Sequence, residues 1–121
     1  MKVLLIDDED DIRKVARLSL ARVGKMEVVD AAGGLEGVRR AEDESPDVIL
    51  LDVMMPGLDG PSTLAALRSN AKTAGIPVVF LTAKAMPAEI ERLRSLGVKG
   101  VLIKPFDPMT LPAQLRAVLE R

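Results

Sequence analysis

The chain has 121 residues, enough for one domain with a substantial core, and its 48% apolar and 29% charged residues exclude both a disordered and a membrane-embedded composition. A net charge of −1, no Trp, no Tyr and only Phe80 and Phe106 remove the electrostatic and base-stacking grounds for nucleic-acid binding. With no His and no Cys, histidine general bases, the usual zinc sites, disulfides and thiolates are out, and the candidate chemistry narrows to carboxylates, Lys, Arg, Ser and Thr. No apolar run approaches the roughly 18 residues of a membrane span, and no signal-peptide pattern opens the chain. A cytoplasmic protein without membrane contact is therefore expected.

Apolar, β-branched runs alternate with helical patterns. Val3 to Ile6 reads as the first strand. Ile12, Val15, Ala16, Leu20 and Val23 recur at helical spacing, so Glu9 to Val23 reads as a helix with these side chains inward, and Gly24 suits its end. Met26 to Asp30 is a second, shorter strand. Leu35 to Ala41 is a weak helix, because Gly37 in its interior costs about 1 kcal/mol relative to Ala. Ser45-Pro46 breaks the chain before a third strand, Asp47 to Leu51.

Pro61 fits the first turn of a third helix with Leu64 and Leu67 inward. Gly75 and Pro77 bracket the start of a fourth strand, Ile76 to Leu81. Pro87 opens a fourth helix carrying Ile90 and Leu93, and Gly97 stops it. Val98 to Ile103 is the fifth strand, interrupted by Lys99 and Gly100. The last helix carries Leu111, Leu115, Val118 and Leu119. It is expected to start at Thr110, since an earlier start would put Pro112 where a helix hydrogen bond is lost. The pattern is (βα)5: an α/β domain over residues 1–121, with a parallel sheet covered by helices on both faces.

In open parallel sheets, ligands bind at the carboxyl ends of the strands. Asp7 and Asp8 follow the first strand, Asp52 the third, Thr82 the fourth and Lys104 the fifth. Parallel strands deliver all of them to one edge. Carboxylates gathered there repel each other, and a hard divalent cation such as Mg²⁺ resolves the conflict with oxygen ligands and phosphate. A carboxylate can accept a phosphoryl group, a Lys supplies a point charge for phosphate oxygens, and a Thr hydroxyl supplies a hydrogen bond. Phosphoryl transfer needs little more than such positioning and neutralisation. Other polar residues have plainer readings. Glu9, Asp10 and Asp11 suit the acidic first turn of a helix. Ser62 and Thr63 suit a helix start, Lys84 a solvated position, and Met54 and Met55 loop packing.

Four motifs carry a resemblance: Ile6-Asp7-Asp8-Glu9, the run from Asp52 to Gly60 (Asp-Val-Met-Met-Pro-Gly-Leu-Asp-Gly), Leu81-Thr82-Ala83 and Lys104-Pro105-Phe106. In this order and on these strand ends they resemble the receiver domain of bacterial two-component response regulators, over essentially the whole chain. The resemblance implies strand order 2-1-3-4-5 and a cis Lys104–Pro105 bond. It implies Asp52 as acceptor of a phosphoryl group from a phosphohistidine. Asp7, Asp8, Asp52 and the Met54 backbone carbonyl are the implied Mg²⁺ ligands, with Mn²⁺ as a substitute. Thr82 is the implied switch hydroxyl, and Lys104 the implied cation on the phosphoryl oxygens. Such a domain is a signalling phosphoacceptor rather than an enzyme, and it loses the phosphoryl group by its own slow hydrolysis. Implied partners are a sensor histidine kinase or phosphotransfer protein, a downstream effector or output domain, and a second copy on phosphorylation. One position departs from the pattern. Most receivers carry an aromatic residue three positions before the Lys, and here Val101 stands there. The rival readings are a phosphorylation-independent interaction module with the same fold, and a flavin carrier. The latter is disfavoured by acids where a phosphate cradle belongs.

Overall fold

The computed structural model describes residues 1–121. Its elements are β1 (Lys2–Ile6), α1 (Asp10–Leu18), β2 (Glu27–Ala31), α2 (Gly34–Glu44), β3 (Val48–Asp52), α3 (Gly60–Arg68), β4 (Val78–Thr82), α4 (Pro87–Arg94), β5 (Gly100–Ile103) and α5 (Leu111–Leu119). All strand pairs are parallel, in the order β2-β1-β3-β4-β5. The α/β reading of the sequence therefore holds, including the strand order that the resemblance implied.

Side chains alternate across each strand, so the sheet builds two separate cores. Val3, Leu5, Leu50, Val79 and Leu81 meet Ala16 and Leu20 beneath α1, and Leu111 and Leu115 from α5. On the other face, Leu4, Ile6, Ile49, Leu51 and Phe80 meet Ala41 of α2, Leu64 and Leu67 of α3, and Leu93 of α4. Each fully buried aliphatic side chain contributes roughly 1.5–3 kcal/mol. The central strands are buried on both faces, which is why they read as continuous apolar runs. No helix is long and apolar enough to cross a membrane.

The first helix departs from its expected form. It is α-helical only to Leu18, and Ser19–Val23 continues as a wide π-helical turn. Gly24 N–H therefore donates to Ser19 five residues back. Ala16 and Leu20 are buried and Ile12 is half-buried, but Val15 and Val23 are each 42% exposed. The wide turn carries Val23 away from the stripe that a regular helix would have kept inward. The Ser19 hydroxyl, buried, donates to the Pro108 carbonyl and ties this turn to the segment before α5.

Helix α2 runs three residues past its expected end, to Glu44. Gly37 explains its seat. A Cβ there would collide with the Ile6 side chain, so the glycine lets α2 lie close against β1. Helix α5 begins at Leu111 with Pro112 in its first turn, where no helix bond is lost. Strand β5 starts at Gly100, two residues later than the apolar run suggested, although Lys99 N–H still pairs with Val78.

Candidate functional site

Five side chains leave the C-terminal ends of β1, β3, β4 and β5 at one edge of the sheet. Asp52 is the last residue of β3, opposite Leu81 of β4. Thr82 ends β4 opposite Ile103, and Lys104 follows directly on β5. Asp7 and Asp8 follow β1. Asp7, Asp52 and Thr82 are almost wholly buried, and Lys104 is only 9% exposed.

Lys104 is the hub. Its Nζ lies 2.9 Å from Asp7 Oδ2, 3.3 Å from Asp52 Oδ1 and 3.6 Å from Glu9 Oε1. Asp7 Oδ1 accepts the Glu9 N–H at 2.9 Å, and Asp52 Oδ1 accepts the Met54 N–H at 3.4 Å. Asp7, Asp8 and Asp52 each offer a carboxylate oxygen within 4.8 Å of the others. Against one buried ammonium this leaves two formal negative charges uncompensated. Asp52 Oδ2 and Asp8 Oδ1 are buried and accept no hydrogen bond. Buried carboxylate oxygens of this kind are costly unless something else satisfies them. Three hard oxygen donors with two unmet lone-pair sets fit a divalent cation.

The electrostatics follow from this packing. Burial, reinforced by the negative charge of Asp7, pushes the Asp52 carboxyl up from 3.8 to about 6, although Lys104 pulls the other way. For Lys104, burial disfavours the ammonium, but the hydrogen bond and charge of Asp7, aided by Asp52, outweigh it and hold the group above its usual range.

Thr82 stands apart from the acids. Its hydroxyl makes no bond to them and accepts the Lys84 N–H at 3.1 Å. Lys84 itself is exposed. Val101 is half-buried against the α2–α3–α4 core. The Lys104–Pro105 peptide is cis. The two methionines diverge: Met54 is 57% exposed beside the acids, whereas Met55 is buried in the core. The loop between them and α3 is closed by Asp59, whose carboxylate caps the helix by accepting the Ser62 N–H at 2.8 Å. Gly60 follows at once. A Cβ there would sit 2.7 Å from the Asp52 carbonyl oxygen, so only glycine lets α3 start this close to the end of β3.

Several polar residues differ from their plain readings. Glu9 occupies the cap position of α1 but makes no side-chain cap, and its carboxylate turns toward Lys104. Thr63 is wholly buried and donates its hydroxyl to the Asp59 carbonyl. Arg13 donates to the Asp7 main-chain carbonyl at 2.7 Å. Nothing in the sequence marked Arg13 beyond its place on α1, because its partner is a backbone atom.

Comparison with known proteins agrees with this geometry. The family model described as the response regulator receiver domain matches residues 3–116. A probable transcriptional regulator, ycf27, of Guillardia theta is 40% identical over 120 residues, covering 99% of this chain and 46% of the relative. The alkaline phosphatase synthesis transcriptional regulatory protein PhoP of Bacillus subtilis is 37% identical over 120 residues, covering 99% of this chain and 49% of the relative. The chain thus spans about half the length of the curated relatives it matches. Among solved structures, the chemotaxis response regulator CheY4 of Vibrio cholerae aligns with a TM-score of 0.87 at 35% identity, covering 97% of each chain. The strand order, the acid cluster at the sheet edge and the match over nearly the whole length agree: the chain belongs to the response regulator receiver domain family of two-component systems.

Proposed function

We propose that residues 1–121 act as one phosphoacceptor receiver, with Asp52 as the acceptor. The observation that carries this reading is the Asp52 carboxylate itself. It is buried at a strand end, one oxygen is unpartnered, and an ammonium and two further acids lie beside it. The two Asp52 oxygens can divide the roles, one facing the cation and the other attacking phosphorus. In the step, an Asp52 oxygen bonds to the phosphorus of a phosphohistidine on a sensor kinase or phosphotransfer protein. The phosphorus–nitrogen bond breaks, and its electron pair stays on the imidazole of the donor. Attack requires the ionised carboxylate, which prevails at neutral pH even with the group pushed up to about 6. Lys104 is 3.3 Å from Asp52 and takes up charge on the phosphoryl oxygens.

Asp7, Asp8 and Asp52, with the Met54 backbone carbonyl, are the proposed ligands of Mg²⁺, for which Mn²⁺ can substitute. When bound, the cation neutralises the acids and polarises the phosphoryl oxygens. Thr82 turns its hydroxyl toward the phosphoryl group, giving up the Lys84 N–H contact. The face formed by α4, β5 and α5 then shifts between two states. Val101 leaves that face without the aromatic side chain that usually accompanies the Thr movement. The chain promotes its own dephosphorylation, slowly, and is not an enzyme in the usual sense.

Its matched relatives are about twice as long and are named transcriptional regulators. The output is accordingly a fused domain or a separate effector, in a cytoplasmic setting, with pairing to a second copy on phosphorylation. The test is incubation with Mg²⁺ and acetyl phosphate followed by intact mass measurement. One added phosphoryl group, absent in Asp52→Ala, is expected. An unmodified wild-type chain, or equal modification of Asp52→Ala, would overturn the assignment.

A further inference from the structure

A second charged cluster, on the opposite side of the β1–α1 loop from Lys104, is not used by the reaction above. Its centre is Arg13, in α1, whose side chain is 18% exposed. Nη1 donates to the Asp7 main-chain carbonyl at 2.7 Å. Nη2 donates to Asp10 Oδ1 at 2.7 Å, and Nε lies 3.6 Å from Asp30 Oδ2 at the end of β2. Asp30 is itself anchored. Its other carboxylate oxygen is 3.2 Å from Arg17 Nη1, and its carbonyl accepts Arg40 Nε at 3.2 Å.

The carbonyl that Arg13 holds belongs to the peptide joining Asp7 to Asp8. The Asp7 N–H still bonds to the Ala31 carbonyl at 3.2 Å, but β1 ends at Ile6. The next peptide has left the sheet, and Arg13 takes the place of a neighbouring strand. A planar guanidinium spreads its N–H donors in a fixed fork, so it spans one carbonyl and two carboxylates that lie in different directions, whereas an ammonium is a compact point charge that fixes no such directions.

We infer that Arg13, braced by Asp30, is a positioning residue for the acid pair: it locks the Asp7–Asp8 peptide so that both carboxylates are presented to a divalent cation from β1. This inference rests on the metal site proposed above. Arg13 touches neither cation nor phosphoryl group and acts through the peptide plane. Its own charge is offset by Asp10 and Asp30, so geometry rather than repulsion of the cation is its contribution. Outer partners of this kind usually set metal affinity by a factor of 10 or more, that is, roughly tenfold to a hundredfold.

The decisive comparison is calorimetric Mg²⁺ titration of the wild-type chain, Arg13→Gln, Arg13→Lys, Asp30→Asn and Lys14→Gln. Lys14 is exposed, and its variant makes the same charge change as Arg13→Gln without touching the Asp7 carbonyl. Both Arg13 variants are expected to weaken Mg²⁺ binding roughly tenfold or more, and Asp30→Asn by less, with Lys14→Gln unchanged. Saturating Mg²⁺ should restore their phosphorylation rate. Hydrogen exchange of the Glu9 amide, which donates to Asp7 Oδ1 at 2.9 Å and so depends on the Asp7 orientation, should be faster in EDTA in Arg13→Gln and Arg13→Lys than in the wild type. Arg13→Lys matching the wild type, or Arg13→Gln matching Lys14→Gln, would overturn the brace. Should Arg13→Gln fail to fold, Arg13→Lys and Asp30→Asn carry the same readouts. A wild-type chain that binds no Mg²⁺ would sink the metal site instead, while the Glu9 exchange would still decide whether Arg13 holds the Asp7–Asp8 peptide in place.

Discussion

Lys104 lies closer to Asp7 than to Asp52, at 2.9 Å against 3.3 Å. Without a cation bound, the ammonium therefore serves chiefly to neutralise the acid of β1. Removing it leaves three neighbouring carboxylates with no buried counter-charge. Lys104→Ala is expected to cost about 2 kcal/mol or more when divalent ions are absent. Millimolar Mg²⁺ should recover part of the loss, because it binds only the folded chain. Urea unfolding with EDTA and with Mg²⁺ measures both effects. Equal stability of the variant and wild type in EDTA would refute the neutralising role.

Asp52 gives a pH signature in the metal-free chain. Its carboxyl is raised on folding from 3.8 to about 6 by burial and by Asp7. The folded chain thus holds this proton more firmly than the unfolded chain does. The contribution of this group to stability is intact below about pH 4, falls as pH rises through about 6, and is level above that. Asp52→Asn should therefore match the wild type near pH 4 and exceed it by about 1 kcal/mol at pH 7.5, after allowance for solvent screening. Denaturant midpoints at these two pH values, in EDTA, provide the check. A constant difference at both would show that Asp52 is not the titrating group.

Two exposed side chains flank the path to Asp52. Met54 follows it by two residues, and the Lys84 N–H occupies the Thr82 hydroxyl. Neither is expected to take part in attack on phosphorus, but both border the route a hydrolytic water must take. Met54→Arg and Lys84→Glu should each change the lifetime of the phosphorylated chain severalfold, on the order of 1 kcal/mol in barrier. The decay is followed by intact mass after the phosphodonor is removed. Lifetimes identical to that of the wild type would refute the idea.

Gly37 sets two effects against each other. Alanine would favour the helix by about 1 kcal/mol. Its Cβ would also drive into Ile6, a fully buried side chain in the tightly packed second core. Overpacking of that kind costs about 1–3 kcal/mol, so Gly37→Ala should destabilise on balance. Adding Ile6→Val should relieve part of the loss, and urea unfolding of the single and double variants measures the coupling. An increase in stability for Gly37→Ala alone would mean that α2 can shift away from the sheet at no cost.

The central strands were legible because they are unbroken apolar runs, as in Val48 to Leu51, whereas β2, with Glu27 and Asp30, and β5, preceded by Lys99, were marked mainly by their place in the alternation. Parallel strands then bring Asp7, Asp8, Asp52 and Lys104 to one edge as a matter of geometry. What escaped a one-dimensional reading depended on neighbours distant in sequence. Met54 and Met55 have the same chemistry, but only the fold decides that the second is buried. Val23 fits an inward stripe on a regular helix, yet it lies outside it because the chain widens at Ser19, and Val15, within the regular part of α1, sits at the margin of that stripe. Gly37 looked like a weakness until the position of Ile6 was known. Arg13 was silent because the two partners that tie it to the site are a main-chain oxygen and an acid on β2, while its pair with Asp10 reads as an ordinary pair on one helix face.

The bond between Lys104 and Asp7 joins residues 97 positions apart. It also crosses the sheet, from β1 near the middle to the loop after the edge strand β5. The pocket is thus assembled from the first and the last strand of the sheet in chain order. A chain cut or still being synthesised before β5 would hold its acids without their cation. The neutralised acid cluster is therefore complete only once β5 is in place, and it would be lost if β5 detached.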